Sequence, residues 1–563
     1  MNYKGILDGN TYSKFKKMTK AVLKNTNREI TSVLKKYTIQ ESPFSAIDIL
    51  NSKNRSLLFC FLFFFSVAIC GYLSVMILST PYRDDCYRYF CNSHVGAIEA
   101  LRILGFLGEH LFFLSQTVTD AAPFTQILSC AILAYAACVV LKTLKIDTLN
   151  KWEVLCFTSV VVNPYLLEIM LYRFDNFFIT LSLLLVSIAA YLSSLNKSNY
   201  FITQSMLLFL SLFIYQVAIA IYLIVFMYKF IEKIRSGSKC IHALYTMKYW
   251  FGTLGIVACA YIPFLQLLNY CKSEDGSVLA LPYNLENISI IIHNVHSYFF
   301  TLYNDWSPNI IGSIFLIMIS IFIIGSLIRT AKMTQSILAI LMVSLLLCVL
   351  FLCPSGLYVC LKAFAKDELV TPRLLCGIGV LISIICHEVN LLMRQCKITD
   401  FLIKAVLCLT VIWNLMFLNS SINIMRENFR IRNLIEYDIA KDIFEIRKTH
   451  PNISHIGIIG EIKSQNTENF FNLYPIMNRI FLEEFPAFAY YRLGSMNMDI
   501  KNALTKKGRV FTKNPKYHSK QLIKEQAIYD VYILDNYILQ FVVKEYEDNN
   551  KYSNWIMKIG EKM

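Results

Sequence analysis

A succession of apolar runs, each about the length that crosses a bilayer, constrains this chain most. A spanning helix needs about 20 mostly apolar residues, and the first run, Leu57–Ser79, reads LLFCFLFFFSVAICGYLSVMILS. Others fall at 124–141, 152–171, 176–195, 201–214, 217–231, 249–269, 309–328, 336–353, 373–392 and 401–420. In lipid every backbone polar group must be satisfied internally, so such runs fold as helices. Composition agrees. The chain is 56% hydrophobic and 17% charged, where soluble domains are about 45–50% and about 25%. A disordered chain, a collagen-like chain and an ordinary cytosolic enzyme are thereby excluded. The expected fold is an α-helical polytopic membrane protein with about 11 transmembrane helices.

Charge gives the topology. Lys197 precedes the 201–231 stretch, and Lys229, Lys233, Arg235 and Lys239 follow it. Basic flanks stay in the cytoplasm, so both ends are inside and the stretch must cross an even number of times. Two short helices turning at Tyr215-Gln216 meet that condition. The excess of 54 Lys and Arg over 39 Asp and Glu then resolves into inner loops and a basic amphipathic lead over 1–56 that lies on the inner leaflet. The outer loops are 80–123, 171–175, 270–308 and 354–372. The tail, 421–563, lies outside and is ordinary in polarity. A helix over Arg430–Lys448, an apolar alternation at Ile453–Ile462, a Phe/Leu-rich stretch at Phe470–Phe485 and strands at Tyr529–Leu534 and Ile538–Val543 suit a small α/β domain. Most of the 17 cysteines lie in apolar runs, and no C-x-x-C pair suggests a zinc or redox site.

The few charges at the outer side carry the chemistry. Arg83, Asp84, Asp85 and Arg88 follow the first span at once. A carboxylate there can take a proton from an attacking hydroxyl, and flanking arginines can hold a phosphate bidentately. The plain alternative is a salt-bridged surface loop. Cys86 and Cys91 either pair or stay free. His94–Ser115 reads as an interfacial helix with Glu109-His110 hydrogen-bonded on its polar face. A second cluster comprises Glu168, Tyr172, Arg173 and Asp175, set against apolar sequence. Ionisable groups at that depth face a cavity or one another, which leaves a Glu168–Arg173 pair or a polar cavity. Gln216 marks the expected break. Arg373, after Pro372, either caps the interface or reaches a lipid phosphate, with Lys362 and Lys366 in the loop before it. His387-Glu388, near Arg394, has no expected role. Walker, dinucleotide, H-E-x-x-H and G-x-S-x-G motifs are absent, so nucleotide-driven transport and zinc proteolysis have no support. No soluble module carries a nucleic-acid footprint.

A first span followed by paired acids and an interfacial helix resembles the GT-C glycosyltransferases. More narrowly, Asn163-Pro164-Tyr165, Glu168 and Tyr172-Arg173-Phe174-Asp175, followed by the apolar run Ile179–Leu185, resemble the bacterial O-antigen serotype-converting glucosyltransferases of the Gtr type II family. Tyr215-Gln216 and Pro372-Arg373 also look like that family, over roughly residues 55–430. The resemblance implies a GT-C-like membrane domain over 57–420 and a bacterial inner-membrane location, which would make the outer α/β domain over 421–563 periplasmic. It implies transfer of glucose from undecaprenyl phosphate to a lipopolysaccharide O-antigen hydroxyl. Asp84 or Asp85 would be the base, Arg173 and Arg373 would hold the donor phosphate, and Glu168 and Asp175 would orient sugar hydroxyls. Arg83, Arg88, Tyr172 and Gln216 complete the expected substrate-binding set. No cofactor is called for, and two neighbouring acids alone do not predict a metal. The expected partners are the lipid-linked donor, the O-antigen acceptor and membrane lipids, not nucleic acid.

Two other readings fit the same features. Broken helices and buried charge suit a lipid-linked-sugar flippase or transporter, although the chain shows no two similar halves. An O-antigen polymerase-like enzyme would place a large outer loop between later spans, a role left to 270–308.

Overall fold

The computed structural model describes residues 55–78, 82, 85, 88, 104, 107, 108, 120–237, 240–271, 286–356, 371–394, 396–453, 455–459, 465–481, 520–526, 528–534 and 538–543. The chain divides into Met1–Leu58 and Phe59–Met563. The basic lead, the Cys86/Cys91 pair, Glu109-His110, Lys362 and Lys366 lie outside the described residues.

Each apolar run contains a helix. In chain order these are α1 (Arg55–Ile77), α2 (Phe124–Leu144), α3 (Lys151–Cys156), α4 (Pro164–Leu171), α5 (Asn176–Ser194), α6 (Phe201–Ile214) and α7 (Ile219–Arg235). The short α8 (Cys240–Thr246) precedes α9 (Lys248–Cys271), α10 (Glu286–Trp306), α11 (Ile310–Thr334), α12 (Ile337–Leu352), α13 (Ile378–Met393) and α14 (Lys397–Thr449). Among the described residues six helices are long and apolar enough to cross a membrane, or seven if the bent pair at 151–171 is one span. The shorter apolar helices α6 and α13 fall below that length. The chain is thus a mostly helical membrane protein.

Two runs are broken, each for a local reason. The run at 152–171, expected as one span, passes from α3 through a 3₁₀ turn (Phe157–Val160) and bends by 52° into α4. Pro164 has no N–H to continue a helix. Asn163 before it caps α4, accepting from the N–H groups of Tyr165 and Leu166 at 3.0 and 3.2 Å and donating to the Ser159 carbonyl at 2.8 Å. The 201–231 stretch is two helices, as the charge argument requires. Tyr215 is extended (φ −154°, ψ 106°) and Gln216–Ala218 forms a 3₁₀ turn. The break is tolerated in an apolar setting because Ser182 donates to the carbonyls of Ser211 and Tyr215 at 3.0 and 3.3 Å.

Close packing joins the breaks. α13 lies against the 3₁₀ turn after α3. A Cβ at Gly379 would stand 2.2 Å from the Ser159 carbonyl oxygen and 2.6 Å from Asn163 Nδ2, so only glycine permits the approach. α5 packs between α2 and α6, and α7 against α12.

The tail grows directly out of the last run. α14 has 53 residues and is about 80 Å long at 1.5 Å per residue. The boundary expected at 420 falls inside it, and so does the helix expected at Arg430–Lys448. Ile431, Ile435, Ile439, Ile443 and Ile446 form one apolar stripe on this extension. The stripe packs on a sheet of β1 (His455–Ile459), β2 (Lys520–Glu525), β3 (Tyr529–Leu534) and β4 (Ile538–Val543), in the order β1-β4-β3-β2. β1 runs parallel to β4, and the other pairs are antiparallel. Asp442 on α14 accepts from Lys524 at 2.5 Å and from the Tyr529 hydroxyl at 3.0 Å. Burial pushes the Tyr529 phenol up, and the Asp442 carboxylate adds to the shift, so the phenol stays protonated and donating. Between β1 and β2 lie α15 (Gln465–Leu473) and α16 (Ile476–Ile480).

The helices share a polarity. α2 begins beside Asp120 and ends at Lys142; α5 begins after Asp175; α7 begins after Gln216 and ends at Arg235; the α13 segment begins at Arg373 and ends at Arg394. One end therefore gathers the candidate site and the other the basic loops. At the basic end Glu388 accepts from Arg235 at 2.6 Å and from the Tyr228 hydroxyl at 2.5 Å. Arg394, expected near His387-Glu388, pairs with Glu153 at 2.9 Å.

Candidate functional site

α4 supplies the first half of the site. The Asn163 cap and the bend aim Glu168 into the protein, where it is fully buried. A buried carboxylate needs hydrogen bonds and an opposite charge. Glu168 accepts the backbone N–H of Arg373 at 2.8 Å, and its second oxygen lies 3.8 Å from Arg373 Nε. Tyr172 ends α4. Its ring lies beneath the Arg373 guanidinium, 4.9 Å from centroid to Cζ, and the Tyr82 ring packs edge-on against it at 5.0 Å. The Tyr215 hydroxyl, at the α6–α7 break, donates to the Arg373 carbonyl at 2.9 Å. Arg373 is thus gripped through its backbone on both sides, and its cation rests on an aromatic face.

The second half joins the first outer segment to residues 172–176. Asp85, fully buried, accepts the Arg173 N–H at 2.5 Å. The Arg173 guanidinium bonds Asp120 at 2.8 Å and the Leu78 carbonyl at 3.2 Å. Arg88 bonds Asp175 at 2.7 Å. Thr125 donates to the Arg173 carbonyl at 3.2 Å, and Gln126 to the Met170 carbonyl at 3.2 Å. Three arginines therefore converge, each beside a carboxylate, and they are not equivalent. Arg88 and Arg173 are held at 2.7 and 2.8 Å with side chains 4% and 12% exposed, while Arg373 keeps 3.8 Å from Glu168 and is 21% exposed. The Arg373 side chain is the most exposed of the three, and its planar fork suits an incoming anion.

The expected residues come together with corrected partners. The pairing expected as one possibility, Glu168 with Arg173, is not formed. Glu168 serves Arg373, and Arg173 serves Asp120, because α4 ends at Leu171 and the extended Tyr172 (φ −72°, ψ 108°) separates Glu168 on the helix from Arg173 beyond it. Glu168 and Asp175, expected to orient sugar hydroxyls, each hold an arginine. Gln216 begins the 3₁₀ turn at the break, while its neighbour Tyr215 makes the bond to Arg373. Arg83 and Asp84 lie outside the described residues.

Sequence reasoning missed Asp120, Tyr82 and a third group. Tyr165 of α4 donates to Asp305 at 2.8 Å, and Asp305 is ion-paired with Arg479 of α16. The Tyr82 hydroxyl donates to the Ile480 carbonyl. Asp120 carried one usable signal, an acid two residues before the Ala122-Pro123 entry to a span. Arg479 carried none, since 174 positions separate it from Asp305.

The family model of the glucosyl transferase GtrII family matches residues 73–384, which spans both halves of this cluster. No curated protein and no solved structure matches the chain.

Proposed function

The chain belongs to the glucosyl transferase GtrII family, and from that premise we propose that it moves glucose from undecaprenyl phosphate to an O-antigen hydroxyl at the periplasmic face. The observation that carries the reading is the Arg373 guanidinium. It is fixed through its backbone by Glu168 and Tyr215, supported by Tyr172, and more exposed than Arg88 and Arg173. A sugar phosphate donor leaves as a charged phosphate, and an arginine stabilises that developing charge.

The reaction is a single displacement. The acceptor oxygen bonds the anomeric carbon, the bond from that carbon to the phosphate oxygen breaks, and the configuration inverts. A carboxylate takes the hydroxyl proton. Of the adjacent acids, Asp85 already accepts the Arg173 N–H through one oxygen, which supports a reading with Asp84 as the base and Asp85 as the anchor of Arg173. Arg173 and Arg88 shape the phosphate side through Asp120 and Asp175. No acid is needed for a phosphate leaving group, unlike the paired carboxylates of a glycosidase. The lysine-rich ends of the helices favour the cytoplasm, so the site opens to the periplasm in a multi-pass inner-membrane protein. The eleven helical runs then cross as a GT-C-like bundle, with the N-terminus inside and the tail outside.

The test is O-antigen analysis by mass spectrometry in a host that makes undecaprenyl-phosphate glucose and a defined O-antigen. The wild type adds a hexose, and Asp84→Asn and Arg373→Ala lose the addition more than 100-fold at equal protein. A wild type that only redistributes a lipid-linked sugar between leaflets, or only lengthens the O-antigen, overturns the reading.

A further inference from the structure

We propose that Arg479, Asp305 and Tyr165 form a latch that seats the tail segment 476–481 as one wall of the site, making the tail part of the transfer machinery through Arg373. The proposal rests on the reading of this cluster as the transferase site. Two independent bonds join that segment to it. Arg479 pairs with Asp305, which also accepts from Tyr165 at 2.8 Å; the side chains of Arg479 and Asp305 are 4% and 3% exposed. Separately, the Ile480 carbonyl accepts from Tyr82.

Both bonds lead to the same place. Tyr165 and Glu168 are three residues apart on α4 and so lie on neighbouring positions of one helix face. The first holds the tail, the second holds Arg373. The Tyr82 ring packs on the Tyr172 ring at 5.0 Å, and Tyr172 lies under Arg373 at 4.9 Å. Moving the tail segment therefore disturbs the support beneath the arginine by two routes. The seat is also apolar: Met477 and Ile480 are buried within the main core, as is Phe481. Burying an ion pair in such a seat makes the contact specific, because an unpaired member is strongly disfavoured there. Arg479 is thus a positioning residue that acts on the donor phosphate through Tyr82, Tyr172 and Arg373.

The experiment uses the full chain in membrane vesicles with the tail accessible, comparing wild type, Arg479→Gln, Asp305→Asn, the double variant and Tyr82→Phe. Protease cleavage within 465–481 reads the latch, and glucose transfer from undecaprenyl-phosphate glucose reads the site. The single charge variants should be cleaved at least tenfold faster and raise the donor KM about tenfold. The double variant, which leaves no unpaired charge, should be closer to wild type than either single variant. Tyr82→Phe should raise the donor KM severalfold while leaving the Arg479 pair intact. Unchanged cleavage in the single variants overturns the latch, and faster cleavage with wild-type donor KM overturns its link to Arg373. Additive losses in the double variant overturn the pairing. A wild type that transfers no glucose refutes the transferase reading, while the cleavage arm still reports on the latch.

Discussion

At the residue scale, the site depends on which carboxylate serves which arginine. Arg88 and Arg173 are tied at ordinary ion-pair distance, whereas Arg373 is held by its backbone and by a ring. Arg373→Lys keeps the charge but loses the planar fork and the stacking. We expect a ten- to hundred-fold loss in kcat/KM for glucose transfer, about 1.4–2.8 kcal/mol, with most of it in the donor KM. Glu168→Gln still accepts the Arg373 N–H but gives up the counter-charge, so a similar loss is expected with protein levels maintained. Full activity in Glu168→Gln would show that its charge plays no part. These residues were visible in the sequence as ionisable groups set in apolar runs, a costly placement. Their pairing was not visible, because 205 positions separate Glu168 from Arg373 and only the packing of α4 on the Pro372 turn brings them together.

At the element scale, two breaks make the site. The one at Tyr215 was legible, because basic residues on both flanks demand an even number of crossings. The bend at Asn163-Pro164 was present as residue types, a strong cap followed by proline, inside a run whose apolar content alone reads as one helix. Asn163→Ala removes the cap of α4 and its tie to Ser159, and should lower thermal stability in detergent by about 1–2 kcal/mol together with activity. Gly379→Ala drives a Cβ against the Ser159 carbonyl and should cost about 1–3 kcal/mol, read as a lower unfolding temperature. An unchanged unfolding temperature would mean that α13 shifts freely, and the close approach at 379 would then lose its structural weight. The long α14 shows the same limit in another form. Its apolar and polar stretches look like a span and a separate tail helix, yet no glycine or proline interrupts Lys397–Thr449, and the backbone continues through.

At the scale of the whole molecule, charge is sorted to opposite ends of one bundle. The buried pair of Arg235 and Glu388, with Tyr228, ties α7 to α13 at the basic end. Breaking it leaves an uncompensated buried charge, so Glu388→Ala should cost about 3–5 kcal/mol. The expected result is a large fall in protein recovered from the membrane, with the donor KM of the surviving protein unchanged because the pair lies at the far end of α13 from Arg373. A raised donor KM would mean that the two ends are coupled. By itself the sequence determined the helical membrane class, the position of each run, the two late strands and the short list of charges set against apolar sequence, since apolar length and basic flanks are local properties that lipid reads directly. Only the tertiary structure decided that Glu168 serves Arg373 rather than Arg173, that the last run and the tail are one helix, and that Arg479 reaches back to Asp305 beside α4. Those outcomes depend on contacts between residues far apart in the chain, and such contacts form only when whole helices pack.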